Sequence, residues 1–220
     1  MATKSLEARL DELEATARNT EAALEIIKLQ SRYTYYMDLN YTDRIVDELF
    51  AQKDPQVKCE ICDTGIYEGI ESVRRLFRAL HDQQAIRGYL GIIMLETPFV
   101  QVSKDGKTAR GMWHGFGPNS ANATYFPADK NHQDTLTALW FMGKYDNEYV
   151  KEGGKWKIRS LRLVCYFQAP YEEGWLKVPD ARRWAPNPEI CKPDRPSTVF
   201  KPYHPHAVNK LLPEPPENIE

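Results

Sequence analysis

Leu136 to Phe167 reads LTALWFMGKYDNEYVKEGGKWKIRSLRLVCYF, and the fold turns on this stretch. Two runs rich in β-branched and aromatic residues, Leu136 to Val150 and Trp156 to Phe167, flank Glu152-Gly153-Gly154. Such runs favour extended backbone, and paired glycines supply the positive φ that a tight hairpin demands. The pattern predicts two long antiparallel strands. Upstream, Ile92 to Val102 and Thr108 to Phe116 repeat it around Lys104-Asp105-Gly106-Lys107, so a four-strand meander is expected in the second half of the chain.

The first half has a helical period. Ala22, Ile26, Leu29, Tyr33 and Tyr36 form one apolar-aromatic stripe. Before and beside it, Leu6, Leu10, Leu13, Ala17, Thr20, Leu24 and Ile27 alternate steps of four and three, the seam of a coiled-coil-like helix. Asn19-Thr20 offers an N-cap, which predicts a leading helix and a second from about residue 21 to 37. Heptads do not reveal whether their partner is the same subunit or a neighbour. A short helix from Thr42 would turn Ile45, Val46, Leu49 and Phe50 inward. Val57 to Cys62 predicts a strand, Asp63-Thr64-Gly65 a turn into Ile66-Tyr67, and the residues after Gly69 a further helix. Helices first and a meander afterwards give an α+β class rather than βαβ units.

At 220 residues the chain suits one domain with a sizeable core. Its net charge of −2 gives no electrostatic reason to expect nucleic acid or an anionic membrane as partner. No apolar run approaches the ~20 residues that span a bilayer, and Met1 to Arg9 lacks the apolar centre of a secretory signal. A cytoplasmic protein is expected. Cys59-Glu60-Ile61-Cys62 has the spacing of half a zinc site, but nothing completes it, so ordinary thiols and no metal are expected. The organisation reads as an N-terminal helical arm (1–19), a domain (20–170) and a Pro-rich arm (171–220). From Pro170 onward lie 11 of the 15 prolines, which forbid regular structure, interleaved with Tyr171, Trp175, Trp184, Phe200 and Tyr203. An extended arm laid over the core or a neighbouring subunit satisfies both features. Gly117 to Asp134 is expected as a long polar connection between strands. The seam and the aromatic tail together offer more apolar surface than one domain needs, which predicts a homodimer or homotrimer.

Ile26 to Asp38 (IIKLQSRYTYYMD), Ile66 to Phe77 (IYEGIESVRRLF), and Tyr145 to Phe167 with its KWKI and the adjoining YFQAP carry a family resemblance. Over roughly residues 20 to 170 the chain resembles the SnoaL-like branch of the nuclear transport factor 2-like superfamily. The resemblance implies a cone-shaped, curved antiparallel sheet packed against N-terminal helices, a cystatin-like α+β barrel. It also implies a cofactor-independent lyase that eliminates water or a small carbonyl fragment from a hydrophobic, ring-containing small molecule. The branch includes bile-acid 7α-dehydratase, scytalone dehydratase, hexachlorocyclohexane dehydrochlorinase and lyases of lignin-derived diarylpropanes. The same fold also makes non-catalytic ligand-binding modules and dioxygenase small subunits, and that alternative stays open. A Tyr and an Asp stand five residues apart at the helix end in the bile-acid dehydratase, matched by Tyr33 and Asp38. The dehydratases' partner His falls where this sequence has Ile92 and Ile93, and a last-strand Arg falls near Cys165.

Asp38 is the first candidate base. A carboxylate at a helix C-terminus is disfavoured by the dipole, and aromatic neighbours would desolvate it; both raise its pKa. Tyr33 could donate to a substrate oxygen or serve as one more aromatic of the stripe. His114 could take over the missing imidazole, although strand alternation lets only one of Trp113 and His114 face a pocket. Tyr36, Trp113, His132 in the long connection and Arg162 are the candidate substrate-binding residues.

Overall fold

The computed structural model describes residues 5–85, 87–122, 136–177, 191–198 and 202–216. Its first element, α1 (Leu6–Asp38), is one helix of 33 residues capped by Ser5, whose side chain accepts from the Ala8 amide. The expected break at Asn19-Thr20 does not occur. Thr16 and Thr20 turn their hydroxyls back onto the carbonyls of Glu12 and Thr16, both at 2.8 Å. A threonine bonded to the preceding turn is not free to cap a following one, and the helix runs on. After Asp38 come α2 (Thr42–Arg44), a π-helical turn (Ile45–Leu49) with Ile45, Val46 and Leu49 buried, and later α3 (Ile70–Gln84).

The strands are β1 (Lys58–Ile61), β2 (Ile66–Glu68), β3 (Leu90–Gly91), β4 (Met94–Val102), β5 (Thr108–Asn122), β6 (Leu136–Glu152) and β7 (Lys155–Pro170). They form one curled sheet in the order β2-β1-β7-β6-β5-β3, with β4 also on β5. The meander β4 to β7 is antiparallel as expected, but β1 runs parallel to β7, pairing Cys59 with Leu161, so the sheet is mixed. A parallel neighbour needs a long crossover, and the elements from β2 to β6 supply it. Strand β5 continues six residues past Phe116, taking Gly117 to Asn122 from the predicted connection; residues 123–135 lie outside the described residues.

Register shifts at Glu96/Phe99, Met142/Gly143 and Glu148/Tyr149 bend the sheet. Helices α1 and α3 pack into the resulting hollow with Ile26, Leu29, Tyr33, Val73, Leu76 and Phe77 against Phe141, Tyr145, Ile158 and Leu161. Within this core, Gln30 Oε1 accepts from Asn147 Nδ2 (2.9 Å) and from the Tyr149 hydroxyl (2.8 Å), tying α1 to β6. The outer face carries a smaller cluster around Val164, Tyr166, Phe167 and Ala169, against which Tyr203 of the tail packs.

The described tail lies on its own domain. Residues 191–198 follow the edge of β2, where Ile66 bridges Arg195 and the Tyr67 hydroxyl donates to the Cys191 carbonyl (2.9 Å). Residues 202–216 cross the outer face, where Lys144 donates to the carbonyls of Leu211 and Pro213, each at 3.0 Å. Trp184 and Phe200 lie outside the described residues.

Candidate functional site

Where α1 ends over the open end of the hollow, a narrow cleft, part of it open to solvent, remains between helix and sheet. The last turns of α1 supply Tyr33, Thr34, Met37 and Asp38. Helix α3 adds Leu80 and Gln84; Tyr89 and Gly91 come from the segment that follows it. The sheet provides Ile61, Asn119, Tyr145 and Leu163, and the link between β3 and β4 provides Ile93. The walls are apolar, the polar groups are phenols, amides and one hydroxyl, and Asp38 is the only charged group among these residues.

Tyr33 and Tyr145 are both buried, their rings edge to face with centroids 6.0 Å apart and an interplanar angle of 78°. Each phenol bears on the other's titration: Tyr145 raises Tyr33, and Tyr33 lowers Tyr145. Burial is the larger influence on each. It holds Tyr33 well above the ordinary 10.0, helped by Tyr145 and Cys59, and it pushes Tyr145 above the usual phenol range, helped by Cys62. Both phenols therefore stay protonated and act as donors.

Asp38 sits at the rim. The residue is exposed, yet desolvation against the cleft wall raises its carboxyl pKa above the ordinary 3.8. Tyr145 senses its charge, which places the carboxylate within electrostatic reach of the phenol pair. The last turn of α1 holds no basic residue to offset it.

Glycines on the inner face of β5 make room for this arrangement. A Cβ at Gly115 would come within 2.9 Å of Ile93 and 3.2 Å of the Tyr145 ring. At Gly117 it would fall 1.9 Å from the Ile92 carbonyl oxygen, so the close approach of the β3–β4 segment requires glycine there.

The SnoaL-like domain matches residues 18–162. The chain belongs to the SnoaL-like family. Solved structures with the nuclear transport factor 2-like fold agree. A candidate scytalone dehydratase from Novosphingobium aromaticivorans superposes with a TM-score of 0.54 at 15% identity, covering 71% of this chain and 91% of that one. A type 2 hexachlorocyclohexane dehydrochlorinase gives 0.52 at 18% identity, covering 74% and 92%. A candidate dehydratase of the nuclear transport factor 2-like family from Streptomyces avermitilis gives 0.51 at 14%, covering 66% and 96%. At such identities the likeness is one of fold. No curated protein matches the sequence.

Among the residues singled out from the sequence of this SnoaL-like chain, Tyr33 and Asp38 meet in the cleft. The others lie elsewhere. Trp113 takes the inward position on β5, buried against Tyr149 with ring centroids 6.1 Å apart. His114 consequently faces outward, its Nδ1 2.6 Å from the Thr97 hydroxyl, beside a separate groove with Phe99, Met112 and Lys144. The Tyr36 hydroxyl donates to Glu48 (2.8 Å) and accepts from Arg44 (2.7 Å) on the surface. Arg162 is on the outer face between Glu60 (3.6 Å) and Asp146 (3.5 Å). His132 lies outside the described residues. Tyr145 and Asn119 are the residues that sequence reasoning passed over. Tyr145 pairs directly with Trp113 across the β5–β6 ladder, so inward alternation was its available signal. Asn119 was hidden because its segment read as a loop. Among the described residues, no group of three or more His, Cys, Asp or Glu side chains could hold a metal.

Proposed function

We propose that this SnoaL-like chain is a cofactor-independent lyase acting on a hydrophobic, ring-containing small molecule that carries a carbonyl or phenolic oxygen. The observation that carries the reading is one carboxylate, with a raised pKa, facing a buried pair of phenol donors in an otherwise apolar cleft. Asp38 takes the proton. The Tyr145 hydroxyl, with the Tyr33 ring packed edge to face against its own, donates to the oxygen on which negative charge develops. A low-dielectric wall strengthens that donation, and none of the described residues lining the cleft is a cation that would favour an anionic substrate. His114, Trp113, Tyr36 and Arg162 are given no part in the chemistry. The protein is further proposed to be cytoplasmic and homo-oligomeric, as dimer or trimer.

3-Hydroxy-1-phenylpropan-1-one is a suitable probe because both outcomes are visible in it. Removal of the proton next to the carbonyl, with departure of the β-hydroxyl, gives phenyl vinyl ketone and water. Removal of the hydroxyl proton, with cleavage of the carbon–carbon bond, gives acetophenone and formaldehyde. The expected result is enzyme-dependent formation of one product set, with kcat/KM reduced roughly 10²–10⁴-fold by Asp38→Asn. Equal rates in wild type and Asp38→Asn would remove the base from the account. The second reading, a ligand-binding module, is favoured by Ile93, an apolar side chain lining the cleft near the place where the dehydratases carry their imidazole. Saturable binding of the probe without turnover would select it.

A further inference from the structure

We infer that the N-terminal half of α1 is a docking face for a second copy of this chain, the two helices pairing in parallel with Arg9 of each copy against Glu14 of the other. The inference is independent of the chemistry proposed for the cleft.

The helix has two apolar faces that serve different purposes. Ala22, Ile26, Leu29 and Tyr33 are buried in the chain's own core. At 100° per residue, the seam of Leu6, Leu10, Leu13, Ala17 and Leu24 points the opposite way. Leu6, Leu10, Leu13 and Leu24 are 82%, 55%, 66% and 54% exposed. From Ser5 to Arg18 every residue is exposed except the half-buried Ala8 and Ala15. This portion buries no side chain of its own, and a helix of such length is marginal in water without a partner. It is nevertheless a capped, continuous helix with an apolar seam repeating every seven residues, the pattern that a facing helix of the same kind fills.

Charge selects both the occupant and its direction. With Leu10, Ala17 and Leu24 at a and Leu6, Leu13 and Thr20 at d, the flanking e positions are Glu7, Glu14 and Glu21, and the first flanking g position is Arg9. In an antiparallel pair e faces e, which brings glutamates against glutamates. In a parallel pair g faces the e position five residues on, so Arg9 meets Glu14 of the other copy, twice by symmetry. An identical, parallel helix is thus the partner whose charges match.

Sedimentation equilibrium of the full chain at micromolar concentration tests this, with circular dichroism to show that each variant is folded. Wild type is expected at twice the chain mass. Leu10→Glu with Leu13→Glu, on side chains that take no part in the core, should give monomer with an unchanged fold. Arg9→Glu or Glu14→Arg alone should raise the dissociation constant about tenfold, because each replaces two attractions by two repulsions. Mixing those two single variants should restore association. In the mixed pair the two substituted side chains face each other with opposite charges, and the remaining Arg9 of one copy faces the remaining Glu14 of the other. A wild-type mass of one or three chains overturns the proposal. So does a dimer unaffected by the double leucine change, or single charge variants that do not recover on mixing.

Discussion

Asp38 combines exposure with a raised pKa, and the two have opposite consequences for activity and stability. As a base it works ionised, so kcat/KM should fall as pH drops through a value above the ordinary 3.8, and Asp38→Asn should abolish that acid limb together with most of the rate. For stability the sign reverses. Desolvation raises the folded-state pKa above the unfolded one, so the carboxylate favours the folded state below its unfolded pKa and weighs against it as pH rises through the raised value. Asp38→Asn should therefore raise Tm slightly at neutral pH while lowering activity; a lower Tm would show that the ionised carboxylate is held by a stabilising contact instead. On the alkaline side, Tyr33 and Tyr145 stay protonated beyond the ordinary 10.0, so neither should cause loss of activity near that pH. At this scale the pair Tyr33 and Asp38 was legible through the family resemblance, because residues five apart stand about 140° apart around a helix and spacing alone does not join them. The sequence did not decide between Trp113 and His114, since alternation gives the period of a strand and not its phase.

The elements were legible in their periods and less so in their ends and joins. The glycine hairpin and the β-branched runs placed β6 and β7 to within a few residues. By contrast, Asn19-Thr20 looked like a cap, yet the Thr20 hydroxyl satisfies a carbonyl of its own helix. The parallel pairing of β1 with β7 had no local signal, because partner choice between distant strands is settled by the whole sheet. The join between α1 and the sheet rests on Gln30, which is fully buried and accepts from both Asn147 and Tyr149. Gln30→Leu would leave the Tyr149 hydroxyl without an acceptor and cost Asn147 its shorter bond. Urea unfolding should report a loss of about 2–3 kcal/mol. A change below about 0.5 kcal/mol would mean that these groups find other partners within the core.

In the whole molecule, a curled mixed sheet holds a long helix whose opposite faces have different tasks. One face fills the hollow and ends at the cleft; the other carries the leucine seam. The described parts of the tail add an edge to β2 and cross the outer face, and the apolar cleft lies at the open end, bounded by α1, α3 and the β3–β4 segment. Hydrophobic period and the family resemblance made the curved meander and the helix packed in its hollow legible, whereas the mixed pairing and the unbroken α1 were not. The occupant of the cleft was not legible, because shape and desolvation arise only when residues as distant as Tyr33, Asn119 and Tyr145 are brought together. The most direct test is a crystal structure of Asp38→Asn, slowed in turnover, with 3-hydroxy-1-phenylpropan-1-one bound. The account predicts the phenyl ring between Ile61, Ile93 and Leu163, the ketone oxygen within hydrogen-bonding distance of the Tyr145 hydroxyl, and the hydroxymethyl end beside residue 38. Ligand density in the outer groove between His114 and Phe99, with the Tyr33–Tyr145 cleft empty, would contradict it.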